Sequence, residues 1–328
     1  MKKRVLGKTG LEVTELSLGG LFVSKIGAQF DEARAAVKRA LALGVNYVDT
    51  APGYADSEQV LGRILEDESA PLIISTKLGG RPQPFEPQNK DCLLKSVEES
   101  LRLLKGRRID ILMIHEPDRP GQYNWWSDLA NFYGPVLEVL EALKKDGTIR
   151  FTGLGGTSAY EMPRIMEKRH FDVVLTAFNY SLLWREAAQE ILPLAARLNM
   201  GIVIGSPLQQ GALARRYDEA VNHGAPWLSL PRRRQYQALY AFLDELGMPL
   251  AEAGLRFVLS NPHVSCALMG ARSAKEVEEN VAAVEKGPLP QDVLKRLAEI
   301  AALVPFRPFE EPFGLPFHSN KPNWVGMA

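Results

Sequence analysis

The sequence predicts an α/β protein, a (β/α)8 TIM barrel that begins with a β-hairpin. Short β-branched or apolar runs alternate along the chain with segments of helical periodicity, which is typical of a parallel sheet. Eight such pairs follow one another, the number that closes a barrel. A doubly wound open sheet is the alternative, but no Gly-x-Gly-x-x-Gly follows the first strand. We therefore predict one barrel domain over residues 1–328, with an irregular C-terminal segment at 303–328.

The predicted strands are apolar runs that end at a loop with glycine, proline or polar residues. In chain order they are Glu15–Gly19, Tyr47–Asp49, Leu72–Lys77, Ile109–His115, Phe151–Gly155, Val173–Phe178, Gly201–Gly205 and Cys266–Gly270. In front of them, residues 3–14 carry Lys8-Thr9-Gly10 between two β-prone runs. That pattern predicts the N-terminal hairpin.

The predicted helices follow the strands and carry capping residues. Asp31 is expected to cap a helix at 32–43, and Ser57 a helix at 58–65. The remaining helical patterns lie at 91–104, 135–145, 160–167, 186–198, 234–246 and 274–284. Long connections at 118–133 and 209–233 interrupt the repeat. Loops of this length in a compact domain are usually functional or disordered, and aromatic content favours a functional one.

Composition argues against several classes of partner. Lys plus Arg equals Asp plus Glu at 39 each, so no net field attracts nucleic acid or an anionic membrane. No apolar run reaches the ~18 residues of a membrane span, and the N-terminus lacks the apolar core of a signal peptide. Cys92 and Cys266 lie far apart without a Cys/His cluster, so no metal is expected. We expect a soluble cytoplasmic protein with a small-molecule substrate and no nucleic-acid or membrane partner; its oligomeric state is not predicted.

Four titratable side chains are expected at one end of the barrel. Asp49 ends the second strand, Lys77 the third and His115 the fourth, while Tyr54 lies in the loop after Asp49. The carboxyl ends of barrel strands form the active-site face. Each residue alone has a structural explanation, as a cap, a solvated cation or a hydrogen-bonded imidazole. Their occurrence on successive strands favours a shared site.

The chemistry of these groups favours proton transfer to or from an oxygen atom. A phenol with a pKa of about 10 exchanges protons poorly at neutral pH, and an adjacent ammonium lowers that pKa. Lys77 can act on Tyr54 in this way, while Asp49 keeps Lys77 charged. His115 would orient a substrate oxygen or share its proton. No activated serine or cysteine nucleophile accompanies these groups.

At these residues the sequence resembles the aldo-keto reductase family, and the resemblance covers nearly the whole chain. The matching motifs are, in order, Gly44-Val-Asn-Tyr-Val-Asp-Thr-Ala-Pro-Gly-Tyr54, Ser57-Glu58, Leu61-Gly62, Ser75-Thr-Lys77 and Ile114-His115. The resemblance implies a (β/α)8 barrel, a nicotinamide cofactor and four catalytic residues. These are Asp49, Tyr54, Lys77 and His115, with Tyr54 as general acid and base.

The resemblance also implies a cofactor site built from three segments, Arg150–Ser158, Gly205–Leu213 and Gly270–Asn280. The implied residues are Thr157 and Ser158 at the nicotinamide carboxamide, Ser206, Leu208 and Gly211 along the pyrophosphate, and Gly270, Arg272, Ser273, Glu276, Glu279 and Asn280 around the adenosine. Backbone amides at the start of the last helix also favour a phosphate.

Two departures from the family pattern affect the nicotinamide end of this site. Ala177 stands where many members have Gln, and Gly205 where they have an aromatic residue that stacks on the ring. Tyr180 is the residue that we expect to compensate as a cofactor contact, with Asn179 as the alternative. Arg272 can grip a 2′-phosphate or stack on the adenine, and the resemblance to the family makes NADP the expected cofactor. NAD is the alternative, because Glu276 can accept a hydrogen bond from a free 2′-hydroxyl.

The same departures resemble the branch of the family that contains aldose and L-galactose dehydrogenases. We predict an NAD(P)-dependent oxidoreductase that transfers hydride between nicotinamide and an aldehyde, ketone, alcohol or sugar hemiacetal. Phe22, Tyr123, Trp125 and Trp126 are candidate walls of the substrate pocket. A loop core or an oligomer contact is the alternative for these aromatic residues.

Two other functions remain open at this point. The sequence also resembles potassium-channel β subunits, which makes a nucleotide-sensing or partner subunit with little turnover the second hypothesis. The third is an isomerase or lyase on the same barrel, which predicts a phosphate site after strands 7 and 8 and usually a metal or a glutamate base. No metal-ligand cluster is visible in the sequence.

Overall fold

The computed structural model describes residues 1–225 and 228–305. Its strands are β1 (Lys3–Val5), β2 (Glu12–Thr14), β3 (Leu16–Gly19), β4 (Tyr47–Asp49), β5 (Ile73–Leu78), β6 (Ile109–His115), β7 (Ile149–Gly156), β8 (Val173–Ala177), β9 (Gly201–Gly205) and β10 (Cys266–Met269). β1 and β2 pair antiparallel, and the other eight form a closed parallel barrel in the order β10-β3-β4-β5-β6-β7-β8-β9. This confirms the predicted barrel and its N-terminal hairpin.

Helices surround the barrel and connect successive strands. They are α1 (Phe30–Ala42), α2 (Ser57–Leu65), α3 (Lys90–Leu103), α4 (Pro135–Lys145), α5 (Glu161–Lys168), α6 (Ile191–Arg197), α7 (Asp218–His223), α8 (Leu230–Leu246), α9 (Leu250–Leu259), α10 (Ala274–Glu285) and α11 (Gln291–Ala302). Short 3-10 turns lie at Gly20–Val23, Glu186–Ala188 and Gln209–Gly211. None of the helices in the described ranges is long and apolar enough to cross a membrane.

Several helix boundaries differ from the sequence prediction. α1 begins at Phe30, so Gln29 rather than Asp31 precedes it, and Ser57 is the first residue of α2 rather than its cap. The helix predicted at 186–198 is divided into a 3-10 turn and α6, because Pro193 is tolerated only in the first helical turn. α8 begins at Leu230 instead of at residue 234.

The prediction does not include α7, α9 and α11. Almost every side chain of α9 is buried, including its two charged residues, Glu252 and Arg256, which lie one turn apart and form an ion pair at 2.8 Å. Of the irregular segment predicted at 303–328, residues 306–328 lie outside the described part of the chain. The assignment of residues 1–328 to one domain stays a prediction.

The interior of the barrel is closed at the amino ends of its strands. Apolar side chains of the N-terminal hairpin region pack with inward-facing strand residues in one buried cluster: Leu6, Leu11, Val13, Tyr47, Ile111, Met113, Val173, Leu175, Val203, Cys266 and Leu268. Because side chains alternate along a strand, the residue two places after an inward-facing residue of a barrel strand also faces inward. The polar residues at the carboxyl ends are therefore directed into the barrel mouth.

Candidate active site

An ion pair is buried at the carboxyl end of the barrel interior. Lys77 Nζ lies 2.7 Å from Asp49 Oδ2 and donates to the Thr50 carbonyl oxygen at 2.8 Å. Both charged side chains are 1% exposed. The other Asp49 oxygen accepts from the Ser75 hydroxyl at 2.6 Å. Burial opposes the charge of Lys77, but Asp49 and Tyr54 outweigh it and raise the pKa of the lysine, which therefore stays protonated.

Tyr54 is held against Lys77 by the loop between β4 and α2. Its N–H donates to the Ala51 carbonyl at 3.0 Å, and its carbonyl accepts from the Ser57 N–H at 2.9 Å. Lys77 Nζ lies 4.7 Å from the centre of the phenol ring and shares a hydrogen bond with the phenol. Burial raises the pKa of Tyr54 and outweighs the lowering by Lys77. Lys77 thus lowers the pKa of Tyr54, as expected, but the net shift of that pKa is upward.

His115 completes the polar side of the mouth at the end of β6. Its ring is edge-on to Tyr54, with centroids 5.8 Å apart and planes at 81°. Burial, and then the charge of Lys77, lower the pKa of His115 to about 3, so the imidazole is neutral at physiological pH. Nδ1 is buried without a hydrogen-bond partner in the described residues. A neutral imidazole has one N–H donor and one acceptor, which suits it to orienting a substrate oxygen.

The opposite side of the mouth carries little side-chain volume. Gly155, Ala177 and Gly205 end the inward faces of β7, β8 and β9. A Cβ added at Gly155 would lie 3.3 Å from Lys77 Cε, and one at Gly205 would lie 3.1 Å from Leu175 Cδ2. These contacts show that both positions face the interior, where small residues leave room for a ligand beside the ion pair.

A cavity of about 450 Å³ opens at this point. From Asp49 and Tyr54 its lining continues along residues 19–22, the loop after β9 and the start of α10. The predicted cofactor residues that line it are Ser206, Leu208, Gly211, Gly270, Arg272, Glu276, Glu279 and Asn280. Phe22 lines it too, as predicted for a pocket wall. Arg215 and Tyr217 also line it, and their position in a long loop carried no strand or motif signal from which to predict them.

Two features of this lining fit an elongated ligand that carries phosphate groups. Ser206 and Gln210, which line the cavity, and the adjoining Gln209 adopt left-handed backbone conformations with φ of 51°, 52° and 50°. Non-glycine residues in this region are strained, and such strain is concentrated where a loop is shaped around a ligand. The start of α10 brings the positive end of a helix dipole to the same lining. The nicotinamide dinucleotide implied by the resemblance is a ligand of this kind.

Arg272 and Glu276 form an ion pair at the α10 end of the cavity. Arg272 Nη2 lies 2.9 Å from Glu276 Oε1, and the Arg272 N–H donates to Glu276 Oε2 at 2.9 Å. One carboxylate therefore holds both the guanidinium and a backbone amide of the same residue. Any anionic group that binds Arg272 has to compete with this carboxylate.

Thr157 and Ser158 do not line the cavity, in contrast to the sequence prediction. The Thr157 hydroxyl donates to Glu116 at 2.7 Å, and the N–H groups of both residues donate to Asp118 Oδ2. The inward residue at the end of β7 is Gly155, two places before Thr157. Thr157 and Ser158, the contacts expected from the family motif, therefore lie one and two residues after the end of β7.

Tyr180 and Ser273 also lie outside the cavity lining. Tyr180 is buried against Phe257, with ring centroids 5.4 Å apart, and its hydroxyl accepts from Asn261 at 3.2 Å. In the structure this tyrosine packs in the core, outside the cavity lining. Ser273 is the N-cap of α10, where its hydroxyl accepts from the Glu276 N–H at 3.2 Å.

Trp125 and Trp126 form a loop core rather than pocket walls. Both indoles are buried and donate at 2.8 Å to backbone carbonyls, Trp125 to His115 and Trp126 to Pro117. These bonds fix the chain after β6. Tyr123 lies nearer the mouth: a Cβ added at Gly79 would meet its ring at 3.3 Å and the His115 side chain at 3.2 Å.

Two buried carboxyl groups near His115 were missed by sequence reasoning. Burial, and then the neighbouring Asp118, raise the pKa of Glu116 to about 7. Burial likewise raises the pKa of Asp118, whose Oδ2 accepts the N–H groups of Thr157 and Ser158. The signal was present as two acidic residues, at 116 and 118, directly after a strand end.

Comparison with known proteins extends over the whole barrel. The sequence model of the Aldo/keto reductase family matches residues 15–302. The chain is 29% identical over 333 residues to L-galactose dehydrogenase of Arabidopsis thaliana, covering 97% of this chain and 98% of that protein. It is 27% identical over 341 residues to a putative voltage-gated potassium channel subunit beta of Schizosaccharomyces pombe, covering 92% and 94%. The solved holo form of aldo-keto reductase AKR11C1 from Bacillus halodurans matches with a TM-score of 0.76 and 27% identity, over 95% of this chain and 99% of that one.

Proposed function

The chain belongs to the aldo/keto reductase family, a family of oxidoreductases, and from this premise we propose that it transfers hydride between a nicotinamide cofactor and a carbonyl or alcohol carbon. The observation that supports this most is the position of Lys77 between Asp49 and Tyr54. Its Nζ lies 2.7 Å from the carboxylate and 4.7 Å from the centre of the phenol ring. Such a group can support a phenol that gains and loses a proton during the reaction.

Each of the four residues has a distinct task in this proposal. When bound, the nicotinamide supplies the donor or acceptor of hydride. Tyr54 gives its proton to the carbonyl oxygen in reduction and takes the hydroxyl proton in oxidation. Lys77, kept charged by Asp49, stabilises the phenolate that reduction leaves behind. Neutral His115 donates a hydrogen bond that orients the substrate oxygen.

The raised pKa of Tyr54 fits the first of these tasks. Because burial outweighs Lys77, the phenol remains protonated at neutral pH and has a proton to give. Lys77 then acts on the product of proton transfer, where a buried phenolate without a cation would be costly. In this proposal the buried ion pair stabilises the negative charge that develops on Tyr54 as it gives up its proton.

We propose NAD, rather than the NADP that the family resemblance implies, as the preferred cofactor. Glu276 holds both the Arg272 guanidinium and the Arg272 N–H at 2.9 Å. A 2′-phosphate would have to displace this carboxylate and then lie beside its negative charge. A free 2′-hydroxyl would meet a hydrogen-bond acceptor instead. The balance of these two effects favours NAD.

A nucleotide-sensing subunit is the second candidate function. It is favoured by the similarity to the protein named as a potassium channel subunit beta. A sensor and an enzyme would use the same cavity and differ in whether substrate turnover is sustained.

The two functions are separated by counting turnovers. Purified protein is incubated with NADH or NADPH and a panel of L-sugars, aryl aldehydes and methylglyoxal, and in the reverse direction with the oxidised cofactors and the matching alcohols and sugars. The enzyme hypothesis predicts many turnovers per chain on at least one substrate. Consumption of one cofactor equivalent per chain with every substrate would support the sensor and contradict the proposed enzyme.

A further inference from the structure

Two further hydroxyl groups lie behind the Asp49–Lys77 ion pair, inside the barrel. The Ser75 hydroxyl donates to Asp49 Oδ1 at 2.6 Å, and the Tyr47 hydroxyl lies 2.8 Å from Ser75 Oγ. Both side chains are completely buried. Tyr47 precedes Asp49 by two residues on β4, and Ser75 precedes Lys77 by two residues on β5, so each pair points to the same side of its strand.

The donors and acceptors along these contacts can be assigned. A serine hydroxyl has one hydrogen, and Ser75 uses it on the Asp49 carboxylate, which has none to donate. Tyr47 is therefore the donor to Ser75 Oγ. Burial, and then Asp49, raise the pKa of Tyr47 well above its ordinary value, so the phenol keeps the proton that it donates. The hydrogen bonds run in one direction, from Tyr47 through Ser75 to Asp49.

The Tyr47 end of this series lies in apolar surroundings. Tyr47 packs in the buried cluster at the amino ends of the strands, with Leu6 and Val13 among its members. Within residues 1–225 and 228–305, no group other than Ser75 forms a hydrogen bond with the Tyr47 hydroxyl. A proton that left the active site along this series would reach no solvent. The series is suited to holding Asp49 in place rather than to carrying protons.

Ser75 and Lys77 hold the Asp49 carboxylate through its two oxygens. Ser75 donates to Oδ1, and Lys77 Nζ donates to Oδ2 at 2.7 Å. The three hydrogens of the ammonium group are all in use, on Asp49, on the Thr50 carbonyl at 2.8 Å and on the Tyr54 phenol. A rotation of the carboxylate would therefore move the ammonium relative to the phenol.

We propose that Ser75 and Tyr47 are positioning residues for proton transfer at Tyr54, acting through the orientation of Asp49. This inference rests on the proposed oxidoreductase function and deepens it. Without the Ser75 hydroxyl, Asp49 Oδ1 is a buried oxygen without a donor, and the carboxylate turns away from its place beside Lys77. Because Lys77 lowers the pKa of Tyr54 more than Asp49 raises it, a looser Lys77 raises that pKa and stabilises the phenolate less.

The test is the single-turnover rate of carbonyl reduction by Ser75→Ala, measured from neutral to alkaline pH with the aldehyde that wild type reduces fastest. At neutral pH we expect a fall of about tenfold, the effect of one hydrogen bond to a charged group, with KM and cofactor affinity retained. The loss of rate at alkaline pH should begin at a higher pH than in wild type, because the phenol loses its proton later. Ser75→Thr keeps the hydroxyl and should restore both the rate and the pH profile.

Tyr47→Phe is the second variant, since it removes one hydroxyl and keeps the ring in the buried cluster. It should lower the rate by about twofold, because the Ser75 hydroxyl is then polarised less. In the Ser75→Ala background the same substitution should have no further effect, since Tyr47 reaches Asp49 only through Ser75. The controls are Tyr180→Phe and Ser265→Ala, which remove buried hydroxyl groups outside this series and should keep the wild-type rate and pH profile.

Three results would overturn the positioning role while leaving the oxidoreductase intact. They are a wild-type rate in folded Ser75→Ala, a lower rate with an unchanged pH profile, and independent effects of the Ser75 and Tyr47 substitutions. If Ser75→Ala does not fold, Tyr47→Phe decides by the same two readouts, its rate and its pH profile. Absence of turnover with every carbonyl in wild type would instead contradict the proposed function, on which this role rests.

Discussion

Lys77 Nζ lies 2.7 Å from Asp49 Oδ2, and the two charges are buried together on adjacent strands of the barrel. Neither residue can be neutralised or moved without leaving the other charge uncompensated. Because Lys77 also contacts Tyr54, the pair joins the stability of the barrel mouth to the protonation of the candidate acid. The predictions below follow from this coupling and from the charged groups around it.

Removing one member of the pair should affect both stability and activity. In Lys77→Met, the buried carboxylate of Asp49 is left alone, and we expect the free energy of unfolding to fall by about 3–5 kcal/mol. The double variant Lys77→Met/Asp49→Asn should recover most of that stability but not kcat/KM, since Tyr54 still lacks its cation. Denaturant unfolding and steady-state kinetics on both variants test this. Near-wild-type kcat/KM in the double variant would contradict the role of Lys77.

The His115 imidazole should remain neutral well below the usual histidine range. Its pKa is lowered to about 3 by burial and by Lys77, so the ring should stay unprotonated from pH 8 down to pH 5. NMR of the protein with ¹⁵N-labelled histidine, assigned by comparison with His115→Gln, measures this directly. Titration of the His115 ring near pH 6.5 would show that the site is more hydrated than the structure indicates.

Glu276 should control the choice between the two nicotinamide cofactors. Wild type is expected to bind NADH more tightly than NADPH in a fluorescence titration. Glu276→Gln removes the charge beside the 2′ position and should shift the NADPH-to-NADH affinity ratio by about tenfold toward NADPH, which corresponds to ~1.4 kcal/mol.

The matched control for that titration is Glu278→Gln. Glu278 lies on the same helix, pairs with Arg39 and is outside the cavity lining. Its substitution should leave both affinities unchanged. Tighter binding of NADPH than of NADH by wild type, together with an unchanged ratio in Glu276→Gln, would restore NADP as the preferred cofactor.

Glu116 should make the protein less stable as pH rises. Its pKa is about 7 in the folded protein and 4.5 for an ordinary glutamate, so between these values the folded state holds a proton that the unfolded state has released. Stability therefore falls as pH rises through this window and is constant above it. The full loss is about 3 kcal/mol at 1.36 kcal/mol per pKa unit.

Glu116→Gln cannot ionise and should lack this loss. Its free energy of unfolding should gain up to about 3 kcal/mol relative to wild type between pH 5 and pH 8, whereas Glu161→Gln should follow wild type. Parallel stability curves for wild type and Glu116→Gln would mean that the carboxyl group of Glu116 is ionised at ordinary cost.

The parts of the fold that local patterns determine could be predicted from the sequence. The boundaries of β4, β6 and β9 were predicted to the residue because apolar runs end there at polar or glycine residues. From the rule that parallel strands share a carboxyl edge, Asp49, Lys77 and His115 could be brought together. Buried α9 was missed, although Glu252 and Arg256 lie one turn apart and give it a polar face with the helical period.

The parts of the site that depend on side-chain direction could not be predicted as well. At the end of β7 the sequence prediction placed Thr157 at the cofactor, whereas the residue that faces the barrel interior there is Gly155, two places earlier. The Trp125 and Trp126 indoles were expected to line the pocket, but they are buried in the loop core. The backbone carbonyls that accept their hydrogen bonds there could not be predicted, because no sequence pattern reveals them. The direction of Glu116 depends on a left-handed backbone conformation that its residue type disfavours.

The central claim, that Tyr54 exchanges the proton with the substrate oxygen, is tested most directly by the single-turnover rate of hydride transfer in Tyr54→Phe. The control is Tyr180→Phe, which removes a hydroxyl from another buried tyrosine that lies outside the cavity. We predict a fall of about 10²–10⁴-fold in the rate for Tyr54→Phe, with cofactor affinity retained, and no change for Tyr180→Phe. Equal hydride-transfer rates in Tyr54→Phe and wild type would contradict the account.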